Sequence, residues 1–291
     1  MGLNILAVVA HPADAFDMIG GTLASHVERG DRVVVAIANN GDTLNDARLA
    51  DEIRAGRVKP DPATLEADAQ KITQTVFEAC EILGVTDVRL LNYSGEWLTV
   101  TPELRSGVAT LIQQVKPHIV ITHHPMEEGG GAEHGVCGRL VLEAATVAEG
   151  ARANGLSPHH VGQIYFFCPN GQTTWLDAVT APRYGIVMID VTRQVERKVR
   201  AYAKLTSQYV DLQRAVKITE AVSGLAGVHA RVAYAESFIP NRPEVYLTLP
   251  ISDHNKSLAE GSWKFGMDKV QLLAPYLDGV QEEGDDQDSS K

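Results

Sequence analysis

The sequence predicts an α/β fold: a Rossmann-like, doubly wound and mainly parallel sheet with helices on both faces. Three observations carry this expectation. Short apolar runs such as "LNILAVVA" (Leu3–Ala10) lack the alternation of a half-exposed strand and suit strands covered on both sides. Segments of helical spacing separate these runs, and such alternation implies parallel neighbours joined by right-handed crossovers. Polar clusters recur where successive strands end, the edge at which open α/β sheets bind ligands.

In chain order, the first strand, Leu3–Ala10, ends abruptly in His11-Pro12-Ala13-Asp14, and a helix follows through Gly20–Arg29. Close packing of that helix on the sheet explains the Gly20-Gly21 pair. The second strand is "RVVVAIAN" (Arg32–Asn39). Asn40–Ala63 is polar, contains Pro60 and Pro62, and reads as a long loop or insertion. Thr64–Leu83 has helical spacing, with Gly84 as its C-terminal stop. A strand "DVRLLN" (Asp87–Asn92), a helix over Pro102–Val115 and a strand over Pro117–His124 come next. Past a glycine-rich loop, Glu133–Asn154 reads as a helix, and "QIYFFC" and "GIVMIDV" as late strands. Thr192–Val222 reads as one long amphipathic helix with Thr192 at its N-cap.

Three units result: an α/β domain over residues 1–240, an extension over 241–281 that packs on the domain or on a partner subunit, and an acidic disordered tail over 282–291. The extension is the reason to expect a homo-oligomer.

Of the 291 residues 44% are hydrophobic and 22% charged, enough for a well-filled core. The net charge of −11 disfavours nucleic-acid or anionic-membrane surfaces, which call for basic patches. Cys80, Cys137 and Cys168 are widely spaced without a CxxC, which disfavours disulfides and a cysteine zinc site and fits a cytoplasmic protein. The N-terminal apolar run is too short to span a membrane and lacks the flanks of a signal peptide.

Four polar clusters fall on the ligand edge: His11–Asp14, Asn40–Asp42, Asn92–Glu96 and His123–His134. Pro12 turns the chain between His11 and Asp14, so both side chains can face one space. An imidazole and a carboxylate make two legs of a divalent-cation site, and a catalytic zinc takes three protein ligands plus an open position. "HHPMEEGGGAEHG" (His123–Gly135) offers His123, His124 and His134 for the third leg. His134 is favoured because it opens a helix after a glycine run. The bland alternatives are a structural histidine at a strand end, an ordinary N-cap at Asp14, and packing roles for His123 and His124. Neither GxGxxG nor GxxxxGK[ST] occurs, which disfavours a nucleotide or dinucleotide.

The stretch "VVAHPADAFDMIGGTLA" (Val8–Ala24) resembles the opening of the PIG-L (LmbE-like) metal-dependent deacetylases, whose signature runs A-H-P-D-D-E…G-G-T-L-A after the first strand. Their second signature, H-P-D-H at a helix start, resembles Gly131-Ala132-Glu133-His134 in position and in its last histidine. The resemblance implies one divalent ion, Zn2+ first among candidates, held by His11, Asp14 and His134. It also marks two departures. The family's general base stands at Ala13, and the histidine that polarises its substrate stands at Gly131. Losing a positioned base typically removes a factor of about 10²–10⁴.

One branch, the 4-oxalomesaconate hydratases, shares both departures, although Pro12 follows the deacetylase pattern. The resemblance therefore implies addition of water to, or its elimination from, a small unsaturated oxo- or polycarboxylic acid. Such a reaction develops enolate charge that a metal can stabilise. Candidates for proton transfer are Asp42, Glu133, Asp17, Glu127 and Glu128. His123 and His124 are candidate substrate contacts, and Arg48, Arg54, Arg139 and Arg183 candidate partners for substrate carboxylates. The alternatives are an amide hydrolase with a replacement base, such as Asp17 or Asp42, and a metal-binding pseudoenzyme.

Overall fold

In the computed structural model, residues 2–39, 46–93, 97–127, 133–167 and 187–270 are described. One seven-stranded sheet organises them, in the order β3-β2-β1-β4-β5-β7-β6. Its strands are β1 (Asn4–Val9), β2 (Arg32–Asn39), β3 (Asp87–Tyr93), β4 (Ile119–His123), β5 (Gln163–Phe167), β6 (Val187–Asp190) and β7 (Ala235–Pro240). β1 pairs in parallel with both β2 and β4, β2 with β3, and β4 with β5. β7 runs antiparallel to β5 and β6. The architecture is α/β and mainly parallel, as the apolar runs required.

Side-chain alternation along β1 divides the core in two. Ile5, Ala7 and Val9 enter one cluster with Leu23, Leu83 and Val199, while Leu6, Val8 and Ala10 enter the other with Ile112, Leu140 and Ala144. Each fully buried leucine or isoleucine contributes about 1.5–3 kcal/mol, so a strand apolar on both faces needs helices on both. On the first side lie α2 (Gly20–Glu28), α4 (Pro62–Leu83) and α7 (Val195–Tyr202). On the other lie α5 (Pro102–Val115) and α6 (Glu133–Ala148).

The winding reverses at β1. The chain passes from β1 outward to β2 and β3, then returns to build β4 on the other side. The loops leaving β1 and β4 therefore diverge and open a crevice at the strands' carboxyl edge. His11–Asp14 follows β1, and His123 ends β4.

Three expectations change. Asn40–Ala63 is not wholly loop, because α3 (Ala47–Arg54) forms within it behind Asp46, whose carboxylate accepts the Leu49 N–H (2.7 Å). Only Leu49 of that helix is buried, so the apolar period that would reveal it is missing. The expected helix Thr192–Val222 is broken into a 3-10 turn (Thr192–Gln194), α7, a second 3-10 turn (Thr206–Gln208), α8 (Leu212–Thr219), a π turn (Glu220–Gly224) and α9 (Leu225–Ala230). Tyr209 is left-handed (φ 54°) and Asp211 caps α8 through the Arg214 N–H, which together end one helix and start another. Thr192 caps nothing; its hydroxyl accepts the Tyr234 N–H. The helix after the glycine-rich loop stops at Ala148, before Asn154, whose side chain instead reaches Gln113 (2.8 Å).

α2 is clamped from the far end of the chain. Glu236 on β7 accepts the Gly21 and Thr22 N–H groups (2.9 and 2.8 Å), and Lys198 of α7 donates to the same carboxylate (2.7 Å) and to Ser223 (2.8 Å). Close approach depends on Gly21, where a Cβ would lie 2.6 Å from Val191 Cβ. Gly21→Ala is expected to cost about 1–3 kcal/mol through overpacking. A urea melt checks it, and a change below experimental error would refute the role assigned to this glycine.

Candidate metal centre

The site begins with β1. Its buried end carries His11 into the crevice, and α1 (Asp14–Asp17) starts immediately after the Pro12 turn. Asp14 reaches back so that its Oδ2 accepts the His11 N–H (2.7 Å), which fixes the carboxylate against the strand end. β4 delivers His123, and the first turn of α6 delivers Glu133 and His134. Two glycines let α6 lie this close. A Cβ at Gly138 would be 2.4 Å from the His123 carbonyl oxygen, and one at Gly135 would be 2.6 Å from that of Glu127.

Three imidazoles converge on the Asp14 carboxylate. Oδ2 lies 3.5 Å from His11 Nδ1 and 3.1 Å from His123 Nε2; Oδ1 lies 3.4 Å from His134 Nε2. Two further carboxylates fix which nitrogen faces inward. His11 Nε2–H donates to Glu133 Oε2 (2.6 Å), leaving Nδ1 toward Asp14. His134 Nδ1–H donates to Glu127 Oε1 (2.7 Å), leaving Nε2 toward Asp14. This carboxylate–histidine arrangement orients ligating rings and raises their basicity. Glu133 is held in turn, since its Oε1 accepts from Leu98 N–H (2.5 Å) and Asn39 Nδ2 (3.4 Å).

The rings and carboxylates of the site are electrostatically coupled. Burial opposes charge on Asp14, but the neighbouring His134 and His123 rings and their hydrogen bonds hold it well below the usual carboxylate range. Burial likewise opposes protonation of His134, yet Asp14 and Glu127 push it up to about 11. His11 is also raised: desolvation works against it, and Asp14 and Glu133 overcome that. His11, Asp14 and His134 form one group of donors able to hold a metal ion, and His123, Glu127 and His134 a second. The ligand atoms of the first group all lie within 4.8 Å of one another, close enough for one ion to reach all three. Glu127 Oε2 is buried without a hydrogen-bond partner, which an ion nearby would relieve. The residues fit a divalent cation.

The other candidates are placed as follows. His123, expected at the substrate, is fully buried; it accepts the Ala10 N–H (3.0 Å), stacks on His134 and meets Phe167 at a tilt. Its role is therefore internal to the cluster. His124 is half-buried, accepts the Met126 N–H and meets the edge of Phe166. Asp17 is buried. Desolvation and the charge of Asp14 push it up to about 7, and its Oδ1 has no hydrogen-bond partner. Arg48 pairs with Asp68 (2.9 Å) beside a cavity of about 230 Å³ lined also by Lys71 and Thr206. Arg139 donates to the Pro125 carbonyl (2.8 Å), and Arg54 pairs with Asp51 on the surface of α3. Asp42, Glu128, Gly131, Cys168, Arg183 and the 282–291 tail lie outside the described residues, as do 94–96 of the third polar cluster. Sequence reasoning missed the partnering of His11 by Glu133 and of His134 by Glu127. The available signal was the acidic residue beside each histidine-bearing turn, read there as a proton-transfer candidate.

Among the described residues no helix is long and apolar enough to cross a membrane.

The family described as PIG-L: GlcNAc-PI de-N-acetylase matches residues 6–145. A diacetylchitobiose deacetylase of Thermococcus kodakarensis is 24% identical over 215 residues, covering 71% of this chain and 70% of that protein. Among solved structures, the 4-carboxy-2-hydroxymuconate hydratase GalB of Pseudomonas putida KT2440 superposes with a TM-score of 0.69 at 20% identity, over 84% of this chain and 99% of that one. An N,N'-diacetylchitobiose deacetylase of Pyrococcus horikoshii superposes with a TM-score of 0.62 at 21% identity, over 81% and 82% of the two chains. Those structural likenesses establish the fold. Residues 6–145, which hold the histidine and aspartate that converge after β1 and the second histidine at the head of α6, match the PIG-L family.

Proposed function

We propose that this protein is a zinc-type hydratase that adds water to, or removes it from, a small unsaturated oxo- or polycarboxylic acid. One observation carries the reading: the three-residue donor group is complete while the position of the family's general base is Ala13, whose methyl group packs against the core. Amide hydrolysis needs a base there. Hydration of a conjugated double bond needs stabilisation of enolate charge, which a divalent ion supplies as a Lewis acid.

The chain's own groups then divide the work. Glu133 and Glu127 orient His11 and His134 and are committed to that task. Asp42 moves the proton in this reading, because Glu133 is fully engaged and the Oδ1 of Asp17 is buried. Arg139, exposed at the loop leaving β4, is the group we assign to a substrate carboxylate. Residues 1–240 form the catalytic unit in this reading and 241–281 an extension of it.

A second reading, amide hydrolysis with a replaced base, is favoured by the likeness to the Thermococcus deacetylase. The test offers unsaturated oxo-acids and N-acetyl sugars side by side. Loss of enone absorbance, abolished by a chelator, is the expected result, with Asp42→Asn lowering kcat about 10²–10⁴-fold. Acetate release without hydration would overturn it. Ala13→Asp, which restores the missing carboxylate, is expected to gain amidase activity at the expense of hydration.

A further inference from the structure

Away from the metal centre, two buried carboxyl groups meet where α3 lies on α4. Asp46, the N-cap of α3, is 2% exposed, and Asp68 of α4 is 4% exposed. The two side chains are within hydrogen-bond reach of each other.

One oxygen of each group is committed. Asp46 Oδ1 accepts the Leu49 N–H (2.7 Å), and Asp68 Oδ1 accepts from Arg48 Nη2 (2.9 Å). The other oxygen of each, Oδ2, is buried and meets no donor. Ionised carboxylates only accept, so these two atoms cannot satisfy one another. Two adjacent buried negative charges facing one guanidinium would also leave one charge uncompensated.

A single proton removes both faults. Placed on Asp46 Oδ2, it donates to Asp68 Oδ2, while Asp46 Oδ1 keeps the Leu49 N–H and Asp68 Oδ1 keeps Arg48. Both orphaned oxygens then have a partner, and the one remaining negative charge is paired. The other charged groups nearby are engaged elsewhere or lie at the rim. On α3, Asp51 is held by Arg54 (2.6 Å) and the Tyr209 hydroxyl (3.1 Å), and Glu52 by Arg57. On α4, exposed Lys71 lines the cavity of about 230 Å³ beside Arg48 and Asp68, to which the turn Thr206–Gln208 adds only Thr206 and Ser207.

We infer that Asp46 and Asp68 share one proton, and that this acid–carboxylate pair is a pH-sensitive latch holding α3 on α4. Burial and the Asp68 carboxyl push Asp46 up to about 6, against the pull of the Leu49 N–H and of Arg48. A carboxyl raised in the folded state stabilises it fully below the ordinary carboxylate pKa, and that contribution is lost as pH rises through the raised value. The latch is therefore closed at about pH 4 and is released as pH climbs through about 6. Because α3 is the first described element after β2, the latch fixes the chain that leaves the sheet's carboxyl edge.

Hydrogen exchange of the full chain tests this, read at residues 47–54, corrected for intrinsic exchange and referenced to the amides of α5. In the wild type, opening of α3 is expected to increase roughly fifty-fold between about pH 4 and pH 7, most of it below about pH 6. Asp46→Asn separates the proton from the cap. Asparagine caps a helix about as well as aspartate, and its Nδ2–H donates where the proton stood. This variant should lose the pH response and exchange about ten- to a hundredfold more slowly than the wild type at pH 7. The Asp46 carboxyl carbon-13 shift should titrate near pH 6 in the wild type. An unresponsive wild type, a pH response retained in Asp46→Asn, or an Asp46 carboxyl fully ionised by about pH 5 would overturn the inference. So would wild-type exchange slowed by calcium at pH 7 and restored by a chelator, which would put a cation between the carboxylates in place of the proton.

Discussion

His134→Ala is expected to abolish stoichiometric binding of a divalent ion, leaving folded protein whose metal content after dialysis falls from about one ion per chain to a trace. The reason lies in three contacts. His134 Nε2 faces Asp14 Oδ1 at 3.4 Å, its Nδ1–H is held by Glu127 at 2.7 Å, and its ring stacks on His123 at 4.2 Å. The alanine variant keeps His11 and Asp14 but offers one imidazole fewer to the ion. Glu127→Gln separates ligation from orientation. A glutamine oxygen still accepts from Nδ1–H but carries no charge, so metal affinity is expected to fall about 10–100-fold with stoichiometry retained at saturating metal. Chelator competition measures both. Full metal retention in His134→Ala would eliminate the proposed centre, and unchanged affinity in Glu127→Gln would remove Glu127's part in it.

Glu236→Gln should produce the largest stability loss away from the metal. Lys198 is fully buried, and its ammonium depends on the Glu236 carboxylate at 2.7 Å, with Ser223 as the other partner. Removing one member of a buried pair leaves an uncompensated charge and costs about 3–5 kcal/mol. Here the carboxylate also accepts two N–H groups at the α2 N-terminus, where a negative charge is favoured. The double variant Lys198→Met, Glu236→Leu should be less damaged than Glu236→Gln, because no lone charge remains. Urea unfolding of the three proteins decides this. A Glu236→Gln variant within error of the wild type would show the pair to be dispensable.

Much of this was legible in the amino-acid sequence. The unbroken apolar runs of β1, β2 and β4 are what a strand buried on both faces requires, and Gly84, observed at φ 82°, announced the end of α4. His11, Asp14 and His134 could be set together because strand ends in such a sheet share an edge. Less legible were features that depend on distant partners. α3 buries a single leucine, so its capping aspartate was the one local sign of it. The break between α7 and α8 involves a left-handed Tyr209, a backbone state no residue type there demands. His123 looked like a substrate contact because its burial is created by Phe167 and His134, and its pairing with Phe167 is set by the β4–β5 register.

The clamp on α2 bears on where this molecule can be cut. Every donor in the cluster, from His11 to His134, is encoded in the first half of the chain, within the stretch that matches the PIG-L description. The carboxylate that ties down the helix following Asp14 arrives about a hundred residues after His134, on β7. A fragment ending near residue 150 would hold all the metal-binding groups yet expose the Gly21 and Thr22 amides and the open side of β4. It should behave as an unstable, aggregating polypeptide, so the autonomous folding unit is larger than the family-matched segment that holds the candidate metal donors.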